Sequence, residues 1–127
     1  FLAISAVKAS IELNSKAIIA DTSTGRTVRA LAAYRGDKII FAQCYAKRVM
    51  RELSLSYGVN PNYSVMNETT EAFLRDALNA LEKEYKLRKS DRVVVLAGNF
   101  GPSHGPSFIE VSTAENLRKK TNNNRVI

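Results

Sequence analysis

A hydroxyl-rich turn near the start of the chain combines residue types that bind phosphate. It reads Asp21-Thr22-Ser23-Thr24-Gly25-Arg26-Thr27, and it follows a short apolar run and precedes a helical pattern. Open α/β sheets bind ligands beyond the carboxyl ends of strands, where a helix start offers unpaired N–H groups and a positive dipole end. The hydroxyls can donate to phosphate oxygens, Gly25 permits close approach of the backbone, and Arg26 supplies charge. The alternative interpretation is an ordinary helix N-cap formed by the same hydroxyls.

A second candidate segment is rich in glycine and proline and also follows a predicted strand. It reads Gly98-Asn99-Phe100-Gly101-Pro102-Ser103-His104-Gly105-Pro106-Ser107. Its polar side chains, those of Asn99, Ser103, His104 and Ser107, can form hydrogen bonds with a ligand. A plain surface turn would explain the same composition. No nucleophile–base–acid set accompanies His104, so no catalytic residue is assigned.

Composition narrows the class of protein. The chain has 127 residues, 45% of them hydrophobic and 24% charged, which is the balance of one folded globular domain. No apolar run approaches the ~18 residues of a membrane span. Cys44 is the only cysteine, which rules out an internal disulfide, makes a metal site improbable and favours a cytoplasmic setting. The net charge of +7 favours anionic partners.

The elements that must position these segments alternate between helix and strand. Apolar spacing predicts helices over residues 2–14, 26–34, 46–57 and from 69 onward, and strands over 16–21, 38–43, 59–65, 92–97 and 107–112. Pro61 indicates that the third strand begins late or lies at a sheet edge. Cys44 is expected to pack in the core. After the last strand the chain is expected to fray into a polar tail, and we assign 1–120 to a single domain and 121–127 to that tail.

This order predicts an α/β fold with helices on both faces of a mostly parallel sheet. The last two strands are joined by about nine residues, and a parallel crossover needs a dozen or more, so the last strand should be antiparallel. The chain begins at Phe1, and the first residues lack the basic start of a signal peptide. We expect that it was cut from within a longer polypeptide.

Four segments in this order resemble the C-terminal domain of pyruvate kinase: Lys16–Arg29, Ala33-Tyr34-Arg35, Glu52–Val59 and Asp91–Val95. The resemblance implies a three-layer α/β/α domain whose five-stranded sheet has its last strand antiparallel. It also implies a regulatory domain that binds a sugar-phosphate effector, often fructose 1,6-bisphosphate, and that contributes to a tetramer. Self-association would use the outer strand Phe108–Val111 and neighbouring helices.

The resemblance also implies which residues bind the effector. Those of the hydroxyl-rich turn, Thr22, Ser23, Thr24, Gly25 and Thr27, match the loop around one phosphate, with Arg26 adding charge. Arg75 matches an arginine that some members use for a second phosphate. The segment from Gly98 to Gly105, with Asn99, Ser103 and His104, matches a loop that folds over the effector. Some bisphosphate-binding members have lysine at the position of Ser23 and a tryptophan near the second phosphate, whereas this chain has no tryptophan. A sugar bisphosphate, a monophosphate, a nucleotide or no effector therefore remain alternatives.

In the family, a separate (β/α)₈ barrel converts phosphoenolpyruvate and ADP to pyruvate and ATP with Mg²⁺ and K⁺. The resemblance thus implies that this chain alone is inactive and holds neither cofactor nor metal. The rest of that polypeptide is an expected partner, and a membrane is not. Two other classes remain as alternatives: a small basic nucleic-acid-binding α/β protein, and a stand-alone enzyme that uses His104. The scattered cations argue against nucleic acid.

Overall fold

The structure is a computed structural model, and it describes residues 2–22, 24–34, 38–56, 58–63, 70–97 and 108–123. Helices and strands alternate along most of the chain. The helices are α1 (Leu2–Glu12), α2 (Arg26–Tyr34), α3 (Lys47–Leu53), α4 (Thr70–Tyr85) and α5 (Ala114–Asn123). The strands are β1 (Ala17–Thr22), β2 (Ile39–Cys44), β3 (Val59–Tyr63), β4 (Arg92–Ala97) and β5 (Phe108–Thr113).

The five strands form one sheet in the order β3-β2-β1-β4-β5. The strands from β1 to β4 are parallel, and β5 is antiparallel to β4, with Arg92 opposite Thr113. The predicted sheet is therefore confirmed, and the short β4–β5 connection accounts for the reversal. Pro61 lies in the edge strand β3, where one side of the backbone needs no partner in the sheet.

Alternate residues of the strands build two apolar cores. The α1–α3 core includes the strand side chains of Ile18, Ala20, Ile40, Ala42, Cys44, Val94 and Leu96. The α4–α5 core lies on the opposite face and includes those of Ala17, Ile19, Phe41, Val93 and Val95. Because both faces are covered by helices, the central strands are continuous apolar runs, which is the pattern that made them recognisable in the sequence.

The last helix corrects the expectation that the chain frays after β5. Helix α5 continues to Asn123, and Ala114, Leu117 and Thr121 are buried along one side of it. The side-chain oxygen of Thr113 accepts a hydrogen bond from the main-chain N–H of Asn116 at 3.2 Å, as an N-cap residue does. Packing of α5 against α4 stabilises a helix that its polar composition alone did not indicate.

Two helices differ from the prediction in detail. Helix α3 ends at Leu53 rather than near residue 57, and the Ser54 hydroxyl donates to the Arg51 carbonyl at 2.6 Å, a local bond that competes with a regular helix. In and after α1, the apolar residues Ile11 and Leu13 belong to the spacing that predicts a helix over residues 2–14. They are 54% and 39% exposed, because the small residues Ala3 and Ala6 face the sheet instead.

Candidate functional site

The hydroxyl-rich turn lies at the carboxyl edge of the sheet, the edge at which the parallel strands end. The turn follows β1, and the glycine-rich segment follows β4, its direct neighbour. The strand order reverses between these two strands, since β2 and β3 lie on one side of β1 and β4 on the other. Open α/β sheets form their ligand crevice at such a reversal. The two strands that precede the predicted segments therefore end next to each other.

Some predicted site residues lie outside the described part of the chain. They are Ser23, Gly98, Asn99, Ser103, His104 and Gly105. For these residues the assignment stays a prediction. The described members of the turn are Thr22, Thr24, Gly25, Arg26 and Thr27, which the strand-to-helix connection brings together at the start of α2.

The hydroxyls of the turn cap the helix. The Thr22 hydroxyl oxygen accepts the main-chain N–H of Gly25 at 2.8 Å, and that of Thr24 accepts the N–H of Arg26 at 3.3 Å. The N-cap interpretation thus has direct support. A threonine hydroxyl that accepts one hydrogen bond still carries an O–H to donate, so capping does not prevent binding of a phosphate oxygen.

Glycine is required at position 25. Gly25 has a φ of +90°, and a Cβ atom there would lie 3.0 Å from the Arg29 guanidinium. That guanidinium donates to the Thr24 carbonyl at 3.2 Å and to the Glu52 carboxylate at 2.7 Å. Arg29 therefore places a second positive charge beside the turn, one helical turn after Arg26. The sequence analysis did not assign Arg29 to the site, although its position three residues after Arg26 on α2 was a sign that the two side chains are neighbours.

A polar row crosses the sheet at the same edge, on the face of the α4–α5 core. Asp21 of β1 is in register with Gln43 of β2, and Gln43 with Asn62 of β3. The Tyr45 hydroxyl donates to the Asp21 carboxylate at 3.1 Å. Burial raises the pKa of Asp21 above its usual value, and the bond from Tyr45 offsets part of that rise.

Two buried donors, one of them at this edge, have no partner among the described residues. The amide of Gln43 is fully buried; its oxygen accepts from Asn62 at 3.2 Å, while its nitrogen Nε2 is unsatisfied. On α4, which packs against β2, the Nε of Arg75 is likewise buried and unsatisfied. Buried donors of this kind are rare, and an acceptor group on a ligand would satisfy them. Arg75 thus has an unused donor, while its assignment to an anion, which the resemblance implied, stays a prediction; Gln43 was not among the predicted site residues.

The described residues give less support to a nucleophilic cysteine or a metal site. Cys44 is fully buried in the α1–α3 core, as expected, and burial raises the pKa of its thiol to about 11, so it is not a nucleophile at neutral pH. Within the described ranges, no group of three or more histidine, cysteine or acidic residues could hold a metal ion. The helices described here are all too short or too polar to cross a bilayer.

Comparison with known proteins agrees with the fold. The pyruvate kinase of Borreliella burgdorferi is 33% identical over 120 residues, which is 92% of this chain and 25% of that protein. The pyruvate kinase of Lactobacillus delbrueckii is 28% identical over 88% of the chain and 19% of its own length. The chain thus spans a quarter or less of these relatives.

A solved structure and a family profile agree with these relatives. The crystal structure of a pyruvate kinase from Cryptosporidium parvum superposes with a TM-score of 0.76 at 25% identity, over 88% of this chain and 22% of that one. The family profile described as pyruvate kinase, alpha/beta domain, matches residues 1–112. With this match across most of its length, the chain belongs to the family of the pyruvate kinase α/β domain.

Proposed function

We propose that this chain is the regulatory domain of a pyruvate kinase and that it binds a sugar phosphate at the carboxyl edge of its sheet. The observation that carries the proposal is the hydroxyl-rich turn at the strand reversal, with Gly25 at positive φ and the start of α2 behind it. In the relatives named above, the remaining length would hold the catalytic part. The conversion of phosphoenolpyruvate and ADP to pyruvate and ATP, with Mg²⁺ and K⁺, is assigned to that part.

The turn offers one phosphate a complete set of donors. The first N–H groups of a helix have no intrahelical acceptor. In α2 the Thr24 hydroxyl accepts the N–H of Arg26, and no acidic residue in the first turn competes for the N–H groups that follow. The hydroxyls of Thr22 and Thr24 add O–H donors, and Arg26 and Arg29 neutralise the charge. Charge-assisted hydrogen bonds contribute about 1.5–3 kcal/mol each, so a few of them are sufficient to retain a phosphate.

Arg75 would bind a second anionic group on the ligand. It lies on the opposite helical layer, and its buried Nε has no acceptor among the described residues. A bisphosphate would engage both the turn and Arg75, whereas a monophosphate would engage the turn alone. The carboxylate of Asp21, the first residue of the turn, disfavours a third anionic group on the ligand at this edge.

Calorimetric titration of the chain with fructose 1,6-bisphosphate, glucose 6-phosphate and ribose 5-phosphate tests the proposal. Thr24→Ala should weaken binding of every ligand about tenfold by removing one donor, and Thr24→Ser should retain it. Arg75→Gln should lower bisphosphate affinity to that of a monophosphate and leave the monophosphates unchanged. The absence of binding heat with all three ligands, or equal affinities for Thr24→Ala and Thr24→Ser, would refute the effector site.

The same domain is proposed to contribute to a homotetramer through β5 and α1. β5 is an edge strand, α1 packs against it, and three apolar side chains on these elements, those of Ile4, Ile11 and Val111, are 37–54% exposed. Unpaired strand edges flanked by apolar surface favour association with another chain. Sedimentation velocity should show Val111→Lys to be less associated than the parent chain. The control Leu55→Lys changes an 88% exposed leucine elsewhere and should have no effect.

A further inference from the structure

The amino edge of the sheet, at the opposite end of the strands from the hydroxyl-rich turn, contains a recess of about 430 Å³. Three separate chain segments form it: the α1–β1 turn, the residues that lead into β2, and the α4–β4 turn. The side chains that the argument uses are Lys16, Lys38, Ile39, Tyr85, Arg88 and Asp91. Strands of six residues, at about 3.3 Å per residue, separate this recess from the carboxyl edge by roughly 20 Å.

The described lining of the recess is positively charged, with three cations against one carboxylate. Asp91 accepts the main-chain N–H of Arg88 at 2.7 Å and a guanidinium N–H of the same residue at 3.4 Å. The main-chain bond is the main cause that holds the pKa of Asp91 below its usual value, and the charges of Arg88 and Lys16 add to it. The carboxylate is therefore ionised at neutral pH, and it is the only acidic group among the described residues that line the recess.

The polar contacts of the cations also fix the shape of the site. The Lys38 ammonium donates to the Asn14 side-chain oxygen at 3.4 Å, and Asn14 itself has a φ of +50°, which turns the chain sharply after α1. A guanidinium N–H of Arg88 donates to Asp91, and both residues line the same recess. Two less polar side chains, those of Tyr85 and Ile39, pack partly against the α4–α5 core and line the same recess.

We propose that this recess is a second anion site that binds a small phosphorylated metabolite. Lys16, Lys38 and Arg88 would hold the phosphate, and the carbon skeleton would rest against Tyr85 and Ile39. The volume falls within the range of about 300–1,000 Å³ that is typical of small-molecule sites. The inference is independent of the proposed effector site, because the two sites share no residue and lie at opposite edges of the sheet.

The test is a titration of the ¹⁵N-labelled chain followed by amide chemical shifts. Inorganic pyrophosphate tests the phosphate contacts alone, whereas AMP and ribose 5-phosphate add two different carbon skeletons. We expect saturable shifts at residues 14–16, 38–39 and 85–91 with every probe, and tighter binding of the probe whose skeleton suits Tyr85. Shifts at residues 22–27 report the effector site separately, so failure of either proposal is visible without the other.

Matched charge variants decide whether the recess or the net charge is responsible. Lys16→Gln/Lys38→Gln should weaken pyrophosphate binding at least about tenfold, since two charge-assisted contacts are lost. Lys8→Gln/Lys83→Gln removes the same charge from exposed helical positions and should change affinity by less than about twofold. Arg88→Gln, which keeps its main-chain bond to Asp91, is the second variant if the first does not fold, and it should weaken binding about fivefold.

Four results would overturn the second site. One is an absence of saturation with any probe up to about 20 mM. Another is an equal loss of affinity in Lys16→Gln/Lys38→Gln and the control pair, which would assign binding to net charge. The third is a set of shifts confined to the carboxyl edge. Unchanged affinity in Arg88→Gln would likewise contradict the assigned contacts.

Discussion

Leu117 joins α5 to the rest of the domain, and its truncation to alanine measures how much that helix contributes to stability. The side chain is fully buried in the α4–α5 core, next to the apolar side of α4. Leucine-to-alanine changes at such positions cost about 2–5 kcal/mol, from lost transfer free energy and the cavity left behind. We expect Leu117→Ala to lower the free energy of unfolding by about 3 kcal/mol and Tm by roughly 10 °C for a domain of this size.

Urea unfolding monitored by far-UV circular dichroism is the appropriate assay, because its midpoint and slope separate lost stability from lost cooperativity. The control is Asn116→Ala on the exposed side of the same helix, which should change stability by less than about 0.5 kcal/mol. If α5 is integral, Leu117→Ala shifts one cooperative transition to lower urea. A loss below about 1 kcal/mol, or an unchanged midpoint, would refute the argument that α5 is packed as part of the core.

Three further outcomes follow from individual groups. Thr22→Val should cost about 1–2 kcal/mol in urea unfolding, since the buried N–H of Gly25 loses its acceptor, and Thr22→Ser should cost much less; equal losses would contradict the cap. Because the pKa of Asp21 is raised on folding, its ionisation opposes folding at neutral pH, and this penalty disappears as pH falls through the folded-state pKa. Asp21→Asn should therefore be more stable than the parent at pH 7, and the difference should shrink toward pH 3; a constant difference would point to a cause other than ionisation. Cys44, with its thiol pKa of about 11, should react with a disulfide reagent at pH 8 at least about 100-fold more slowly in the native than in the urea-unfolded chain, and comparable rates would show that the core is open there.

Part of the candidate site was predictable because its chemistry is local. The turn from Thr22 to Thr27 follows an apolar run, and its hydroxyls and Gly25 are neighbours in sequence. The structure gives Gly25 the positive φ that favours glycine. The other polar groups at this edge have partners far along the chain. Arg29 binds Glu52, and Tyr45 binds Asp21, across separations of 23 and 24 residues that no local pattern reveals.

The end of the chain shows the opposite case. Its sequence contains local signals for a helix, but the polar composition outweighed them in the prediction. Thr113 precedes the helix as an N-cap, Glu115 lies in its first turn and Lys120 in its last, an arrangement that favours a helix. The polar composition predicted a frayed tail instead. What stabilises α5 is packing against α4 together with contact with the α4–β4 turn, where the N–H of Ala114 donates to the Asp91 carbonyl at 2.8 Å.

The sequence by itself determined the alternation of helix and strand, the burial of the central strands and, through a short connection, the reversal of β5. These features depend on periodicity and loop length, which are properties of neighbouring residues. Only the tertiary structure decided the order β3-β2-β1-β4-β5, and with it the placement of the hydroxyl-rich turn beside the end of β4. Strand order is non-local because it depends on covering both faces of the sheet at once. The amino-edge recess and the docking of α5 are non-local for the same reason.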